Sequence, residues 1–280
     1  MSKNFEKCTF LIPFMNACFD REFNLKTVLR YLNENIKTNI FIVEQVSSNK
    51  GIVPIILNFY EYPNLNITHH RENINDDFIH KTKLYNIGLS KIKTDIISPY
   101  DSDVLIPIEQ MLQSINDILD LNTDYSYPFS NSYVEILKHY SEERDRLLNT
   151  FDFKQYVKVI GEKLKTSNQE QLYNTTFKTA QPPGGCMFIK RNVYIDIGME
   201  NELFVGYGPE DVERKMRLEK LKYKCKPVEG SIFHIEHDIN KKRFTNPIHA
   251  TLFKSLDDMS EAQLIRYYND ISYKTKYGCN

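Results

Sequence analysis

The segment DIISPYDSDVLIP, at residues 95–107, decides the predicted fold of this chain. Its first half has the pattern of a buried strand, which runs directly into Asp101 and Asp103, and an apolar run follows them. Exposed loops rarely have apolar segments on both sides, although two aspartates alone are also typical of a turn or a helix cap. In open α/β sheets, ligands bind outside the carboxyl ends of the strands. The segment therefore predicts a ligand site at the edge of a sheet.

The sequence before this segment predicts the rest of the sheet. Residues 9–13 and 39–46 are apolar segments rich in β-branched and aromatic residues, which favour strands. Residues 66–70 predict a third, short strand. Between strands, residues 25–32 carry apolar side chains at the spacing of one helix face, and residues 80–93 also have a helical pattern. Strands that alternate with helices indicate a parallel sheet that is covered by helices.

The second half of the chain is less uniform. Strand patterns return at residues 185–190 and 231–235, whereas residues 110–175 are polar and predict helices, including one at 132–150. We therefore expect an α/β fold with a Rossmann-like core and a mostly parallel, mixed sheet. The expected organisation is one domain over residues 1–280, with a helical insertion at 110–175 and a C-terminal helical extension at 248–280.

Bulk composition excludes several classes of protein. The net charge is −1, so no global basic field favours a nucleic acid partner. No apolar run is long enough for a transmembrane helix or a signal peptide. The five cysteines lack CxxC spacing, which is typical of free thiols in a reducing compartment. These features favour a cytoplasmic protein and leave peripheral membrane association and a homo-oligomer open.

His234 and His237 lie at the end of the predicted strand 231–235. Two imidazoles at this spacing can bind one metal if the chain turns after the strand, although a solvated histidine pair is an equally good interpretation of the motif alone. A carboxylate such as that of Asp103 would complete a mixed nitrogen and oxygen ligand set. Such a set favours Mn²⁺, or another divalent cation such as Mg²⁺, rather than zinc.

A third motif, GYGPEDVE at residues 206–213, places Glu210 and Asp211 in the first turn of a predicted helix. Either carboxylate can act as a general base, but acidic residues are also favoured at this position by the helix dipole alone. Two further features are the turn PPGGC at residues 182–186 and the basic cluster Lys241, Lys242 and Arg243. By itself, the first indicates a turn and the second a solvated loop.

In combination, these motifs resemble the β-1,4-galactosyltransferase family and the related bacterial chondroitin-polymerase-type transferases, which have the GT-A fold. The matching segments, in chain order, are Ile12-Pro-Phe14, Phe41-Ile-Val-Glu-Gln45, Lys83-Leu-Tyr-Asn-Ile-Gly88, Asp101-Ser-Asp-Val-Leu-Ile-Pro107, Gly184-Gly185, Gly206-Tyr-Gly-Pro-Glu-Asp211 and His237 with Asn246-Pro247. The chain departs from the family pattern at Tyr207, where tryptophan is usual, and at Pro209, where glycine is usual. The span from Asp103 to Gly184 is also longer.

The resemblance implies a metal-dependent, inverting transfer of a hexose or N-acetylhexosamine from a UDP-sugar to a glycan acceptor. It implies that Asp211 is the general base and Glu210 an acceptor contact, and that a loop after His237 closes on the donor. The implied metal ligands are Asp103, His234 and His237. The residues implied to bind the donor are Pro13, Phe14, Lys81, Asp101, Gly185 and Tyr207, with Arg21 as an addition.

Two other functions remain alternatives at this stage. The first is a catalytically inactive glycan-binding or scaffolding protein, because a fold alone does not imply activity. The second is a nucleotidyltransferase, which also combines carboxylates with a Rossmann-like sheet. That function favours a glycine-rich phosphate loop near the N-terminus, whereas residues 11–22 contain no glycine.

Overall fold

A computed structural model of the protein describes residues 3–47, 51–120, 123–130, 132–167, 169–178, 183–238 and 246–279. Several features of the sequence analysis lie outside these residues. They are Pro182, the basic cluster Lys241, Lys242 and Arg243, and residues 239–245 of the segment after His237 that is expected to close on the donor.

Two sheets form the framework of the molecule. The strands in the described residues are β1 (Lys3–Met15), β2 (Ile36–Val46), β3 (Leu65–Asn73), β4 (Ile96–Pro99), β5 (Val104–Leu105), β6 (Tyr125–Ser126), β7 (Ser132–Ile136), β8 (Phe177–Lys178), β9 (Phe188–Lys190) and β10 (Ser231–Ile235). The main sheet has the order β3-β2-β1-β4-β9-β6, and the smaller sheet has the order β5-β10-β7-β8. Strands β3, β2, β1 and β4 are parallel to one another, whereas β9 is antiparallel to β4, so the main sheet is mixed.

Helices cover the sheets and extend to the C-terminus. Those in the described residues are α1 (Phe19–Asn35), α2 (Val53–Phe59), α3 (Lys81–Lys91), α4 (Ile108–Leu119), α5 (Ser141–Thr150), α6 (Phe153–Thr166), α7 (Glu170–Thr176), α8 (Arg191–Asp196), α9 (Glu210–Lys220), α10 (Pro247–Asp257), α11 (Glu261–Ile271) and α12 (Tyr273–Lys276). Among them, no helix combines the length and the apolar character that crossing a bilayer requires.

The core explains why β1 is apolar on both faces. Leu11 faces α3, where a β-carbon added at Gly88 would lie 2.2 Å from Leu11 Cδ1. The neighbouring Phe10 points to the opposite face, where its ring meets those of Tyr100 and Phe188 at centroid distances of 5.3 and 5.8 Å. A parallel strand buried on both faces has a continuous apolar sequence, and this is the pattern that predicted β1.

The predicted helix at residues 132–150 is wrong in its first part. Residues 132–136 form strand β7, and helix α5 begins only at Ser141. Strand β7 pairs in parallel with β10 and antiparallel with β8. These partners lie far away along the chain, and their pairing stabilises the extended conformation of residues 132–136, whose short alternation the prediction overlooked.

The pairing of β5 with β10 brings two distant parts of the chain together. The strands are antiparallel, with His234 opposite Val104, and Ile235 N donates a hydrogen bond of 2.8 Å to Asp103 O. Since Asp103 directly precedes β5, this register places the last residues of β10 beside the aspartates that follow β4.

The C-terminal helices α10 and α11 pack behind α9. Their small apolar cluster joins Met216 of α9 to Leu256 and Leu264. Tyr268 of α11 adds a polar contact, because its hydroxyl donates to Glu213 Oε1 at 2.6 Å. These contacts fix the position of α9, whose first residues enter the site described next.

Candidate active site

A cavity of about 500 Å³ lies at the carboxyl edge of the main sheet. The predicted site residues that line it are Pro13, Arg21, Lys81, Asp101, Asp103, Gly185, Tyr207, Glu210, Asp211, His234 and His237. Phe14 is placed elsewhere: it is 1% exposed and belongs to the core. Successive side chains of a strand point to opposite faces, so Phe14 points away from the side on which its neighbour Pro13 meets the cavity.

Three side chains at one end of the cavity form a group that can hold a metal ion. One ligand atom each from Asp103, His234 and His237 lies within 4.8 Å of the other two. His234 Nε2 is 3.8 Å and His237 Nε2 is 3.4 Å from Asp103 Oδ2. One carboxylate and two imidazoles suit a borderline divalent cation such as Mn²⁺. All three residues line the cavity, which would leave room for oxygen atoms of a bound ligand.

Positive charge gathers around the carboxylate of Asp103 in this group. Burial acts to raise the pKa of Asp103, but the charges of Arg21 and His234 outweigh it and hold the pKa well below its usual range. Arg21 Nη1 donates directly to Asp103 Oδ2. Burial acts to lower the pKa of His234, but Asp103 and Glu135 outweigh burial and raise it to about 10. The carboxylate therefore attracts cations from its surroundings.

Lys81 forms a second centre in the cavity. Its Nζ lies 2.9 Å from Asp101 Oδ1, 3.5 Å from Asp211 Oδ2 and 3.6 Å from Glu210 Oε1. The hydroxyl of Tyr85 also donates to Asp101 Oδ1, at 3.2 Å. One ammonium group thus joins the aspartate after β4 to both carboxylates at the start of α9.

The two carboxylates of α9 differ in their expected protonation. Burial acts to raise the pKa of Asp211, but Lys81 and Arg214 outweigh it and lower the pKa. Burial and the charge of Asp211 together raise the pKa of Glu210 to about 7. Asp211 is therefore ionised at neutral pH and can accept a proton, whereas Glu210 is close to the midpoint of its own titration.

Arg214 fixes the orientation of Asp211 from within α9. Its Nη2 donates to Asp211 Oδ1, and its Nη1 donates to Glu200 Oε1 at 2.7 Å. Glu200 Oε1 also accepts a hydrogen bond of 2.5 Å from Tyr194. Because Arg214 is 2% exposed, this arrangement is a buried network behind the carboxylate, with Asp211 Oδ2 left on the cavity side near Lys81.

The turn before β9 closes the cavity against Asp101 and Asp211. Gly185 O accepts a hydrogen bond of 2.8 Å from Asp101 N. Gly185 has φ +92°, a left-handed conformation that glycine adopts without strain. A β-carbon at Gly184 would lie 2.6 Å from Asp211 Oδ2. Both glycines therefore allow the backbone to approach the carboxylates. Tyr207, which is 54% exposed, stands at the mouth of the cavity.

Sequence reasoning missed Arg214, Glu200, Tyr133 and Glu135. The charged sequence from Glu210 to Arg217 predicts a helix but does not show which of its side chains are buried, and Glu200 lies outside every motif. Glu135 and Tyr133 were missed because their strand was predicted as a helix, although the alternation in SYVEI, residues 132–136, was a strand signal.

Comparison with protein families gives one match over most of the chain. The model of the family described as "Glycosyltransferase like family 2" matches residues 9–278. No match was found among curated protein sequences.

Solved structures with a similar architecture include proteins from three sources. A Pyrobaculum calidifontis mannosyltransferase in complex with GDP-Man and Mn²⁺ has a TM-score of 0.51 and 15% identity, over 93% of this chain and 64% of the other. A Drosophila β1,4-galactosyltransferase 7 variant in complex with manganese, UDP-Gal and xylobiose has a TM-score of 0.51 and 14% identity, over 92% and 80%. TarS 1–349 of S. aureus in complex with UDP-GlcNAc has a TM-score of 0.58 and 10% identity, over 96% and 72%.

At these identities the similarity establishes the fold. The α/β architecture with its mixed sheet is of the GT-A type, as expected from the sequence. The chain spans 64% of the length of the mannosyltransferase, so that protein contains a further portion with no counterpart here.

Proposed function

Because this chain belongs to the glycosyltransferase-like family 2, we propose that it transfers a hexose or an N-acetylhexosamine from a UDP-sugar to a glycan hydroxyl, with a divalent metal and with inversion. The observation that supports this proposal is that two chemical centres line one cavity. The metal-binding group of Asp103, His234 and His237 lies at one end, and the ionised carboxylate of Asp211 lies in the same space.

In this proposal, Asp103, His234 and His237 would hold a divalent cation such as Mn²⁺. When bound, such a cation would supply charge stabilisation for the leaving nucleoside diphosphate. Arg21 donates a hydrogen bond to Asp103 Oδ2 and also lines the cavity. Its guanidinium would therefore be within reach of a donor phosphate, a group that Arg recognises well.

Asp211 acts as the general base. Its Oδ2 accepts the proton of the acceptor hydroxyl while the hydroxyl oxygen forms a bond to the anomeric carbon and the bond from that carbon to the diphosphate breaks. Attack from the face opposite the leaving group inverts the anomeric carbon. Arg214 holds Oδ1 of the same carboxylate, so the geometry of the base is fixed before the acceptor arrives. Glu210 and Tyr207 then contact the acceptor sugar.

The pH dependence of catalysis tests the role of Arg214. Asp211 works as a base only when ionised, so activity falls as the pH drops through its pKa, which Lys81 and Arg214 keep low. Replacing Arg214 with Gln removes one of these cations and raises the pKa of Asp211. We expect the acidic limb of the profile of kcat/KM against pH to move to higher pH.

Two further variants control for the loss of charge and for folding. Lys215→Gln removes a charge from the same helix at a site that pairs with Glu219 instead, and its profile should match that of the parent protein. Arg214→Lys keeps the charge and should restore much of the parent profile. An acidic limb that stays in place in Arg214→Gln would contradict the assignment of Asp211 as the titrating base.

The donor class can be tested by thermal unfolding. A ligand that binds the folded form raises the melting temperature. We expect UDP-sugars to raise it with Mn²⁺ present and much less without the metal, and GDP-sugars to serve as the matched comparison. If only GDP-sugars raise the melting temperature, the donor is a GDP-sugar and not a UDP-sugar. If no nucleotide-sugar raises it, the proposed function is contradicted.

We further propose that residues 1–280 act as one catalytic domain and that the segment at 110–175 is an insertion within it. Strand β7 belongs to that segment, and Tyr133 of β7 lines the cavity. The segment therefore reaches the proposed metal site.

A further inference from the structure

We infer that the inserted segment takes part in the metal centre: Glu135 and Tyr133 of β7 position the imidazole of His234 so that its Nε2 faces Asp103. Both are positioning residues, since they contact the ring of His234 and act through it. The inference rests on the metal dependence in the proposed function, and it assigns a role to a segment that no motif explained.

The strand register places these side chains together. Strand β7 pairs in parallel with β10, and Glu135 is the partner of His234 while Tyr133 is the partner of Ile232. Because alternate residues of a strand share a face, Glu135 and Tyr133 lie on the same face as His234. A shift of one residue in this register would move both side chains to the opposite face.

The contacts define one orientation of the ring. Glu135 Oε1 lies 2.7 Å from His234 Nδ1, and the opposite nitrogen, Nε2, lies 3.8 Å from Asp103 Oδ2. The ring of Tyr133 stacks on His234 at a centroid distance of 5.6 Å and an interplanar angle of 28°. When a metal occupies Nε2, the ring proton is on Nδ1 and donates to Glu135. A carboxylate in that position orients a histidine ligand and strengthens its bond to the metal.

Helix α6 of the inserted segment and the neighbouring strand β8 hold β7 in place. Tyr156 of α6 bonds the backbone on both sides of the contact: its hydroxyl donates to Glu135 O at 3.2 Å and accepts from Leu137 N at 2.9 Å. On the other side, Lys178 Nζ of β8 lies 4.9 Å from the centroid of the Tyr133 ring. His237 differs, because its Nδ1 contacts the carbonyl of the adjacent Asp238 at 3.1 Å. Its Nδ1 thus contacts backbone and not a carboxylate of the inserted segment.

The test is the binding of Mn²⁺ alone, without nucleotide or acceptor, measured by titration with electron paramagnetic resonance of the free ion. We expect Glu135→Ala to raise the Kd for Mn²⁺ by about 10–100-fold, the usual effect of removing such a partner. Glu135→Gln keeps an acceptor of similar shape but removes the charge, so its Kd should lie between those of Glu135→Ala and the parent protein. His234→Ala shows how far the Kd for Mn²⁺ rises when the metal ligand itself is removed.

A matched control comes from the same segment. Glu162 is an exposed residue of α6, and Glu162→Gln should bind Mn²⁺ like the parent protein. The melting temperatures of the metal-free variants are compared as well. If Glu135 serves only to stabilise the strand, Glu135→Gln will bind Mn²⁺ normally, because the amide can replace the hydrogen bond.

Three outcomes overturn the inference. They are a normal Kd in Glu135→Ala while His234→Ala binds weakly, a normal Kd in both variants, and full recovery in Glu135→Gln. The first and third leave the proposed function intact, since the metal still binds at His234 and activity remains metal-dependent. Failure of the proposed function is distinct: the parent protein itself would then show no Mn²⁺ binding and no transfer that depends on it.

Discussion

Asp211→Asn is expected to lower kcat by about 10²–10⁴-fold, the usual contribution of a positioned general base, and to leave Mn²⁺-dependent donor binding unchanged. The amide has nearly the shape of the carboxylate but accepts a proton poorly. Asp211 does not belong to the metal-binding group, so the affinity for a UDP-sugar should persist. Turnover is measured as release of UDP with an acceptor present, and donor affinity is measured by calorimetry.

A carboxylate outside the cavity provides the control for this variant. Asp270 on α11 is largely exposed, with its side chain 74% accessible, so Asp270→Asn should transfer sugar at the parent rate. Full turnover in Asp211→Asn would show that another group takes the proton. Equal loss of donor affinity and turnover would instead assign Asp211 to the donor site.

Asp103→Ala is expected to remove the dependence of donor binding on metal. Asp103 contributes the one carboxylate of the metal-binding group and lies within reach of both imidazoles. Lewis-acid stabilisation of the leaving group is worth several kcal/mol. Since each 1.36 kcal/mol is tenfold in rate, we expect kcat to fall by about 10³-fold. In calorimetry, the affinity of the variant for UDP should be the same with and without Mn²⁺.

The matched comparison for this variant is Asp211→Asn, which changes another carboxylate of the same cavity. The two variants should separate the two roles: Asp211→Asn keeps the response of donor affinity to Mn²⁺ and Asp103→Ala loses it. If Asp103→Ala binds UDP with the parent response to Mn²⁺, the metal lies elsewhere.

The sequence predicted the main sheet well, because β1, β2 and β4 are largely buried and carry continuous apolar runs. Strands β1, β2, β3 and β4 lie where residues 9–13, 39–46, 66–70 and 95–100 predicted them. The smaller sheet was harder to predict. Val104-Leu105 is too short to show a period. The alternation of β7 covers only five residues and does not reveal its partner β10, about a hundred residues away.

Prediction of the candidate site was limited in the same way, by contacts between distant parts of the chain. The motifs indicated which residue types the site requires, but its geometry depends on long-range register. His234 meets Asp103 because β10 pairs with β5, and Lys81 meets Asp211 because α3 and α9 both reach the cavity. Phe14 was expected to bind the donor, but it points to the opposite face of β1 from Pro13, the residue before it, which lines the cavity. The sequence shows Arg214 only as a basic residue one turn after Asp211. The structure shows that Arg214 is buried and donates a hydrogen bond to the Asp211 carboxylate.

The most direct test of the account is a crystal structure of the Asp211→Asn variant with Mn²⁺ and a UDP-sugar, in which anomalous scattering locates the metal. The account predicts a Mn²⁺ peak bound by Asp103, His234 and His237 and by the donor diphosphate, with the anomeric carbon facing Asn at position 211. A metal peak away from these three side chains, or a donor whose anomeric carbon faces away from that position, would contradict it.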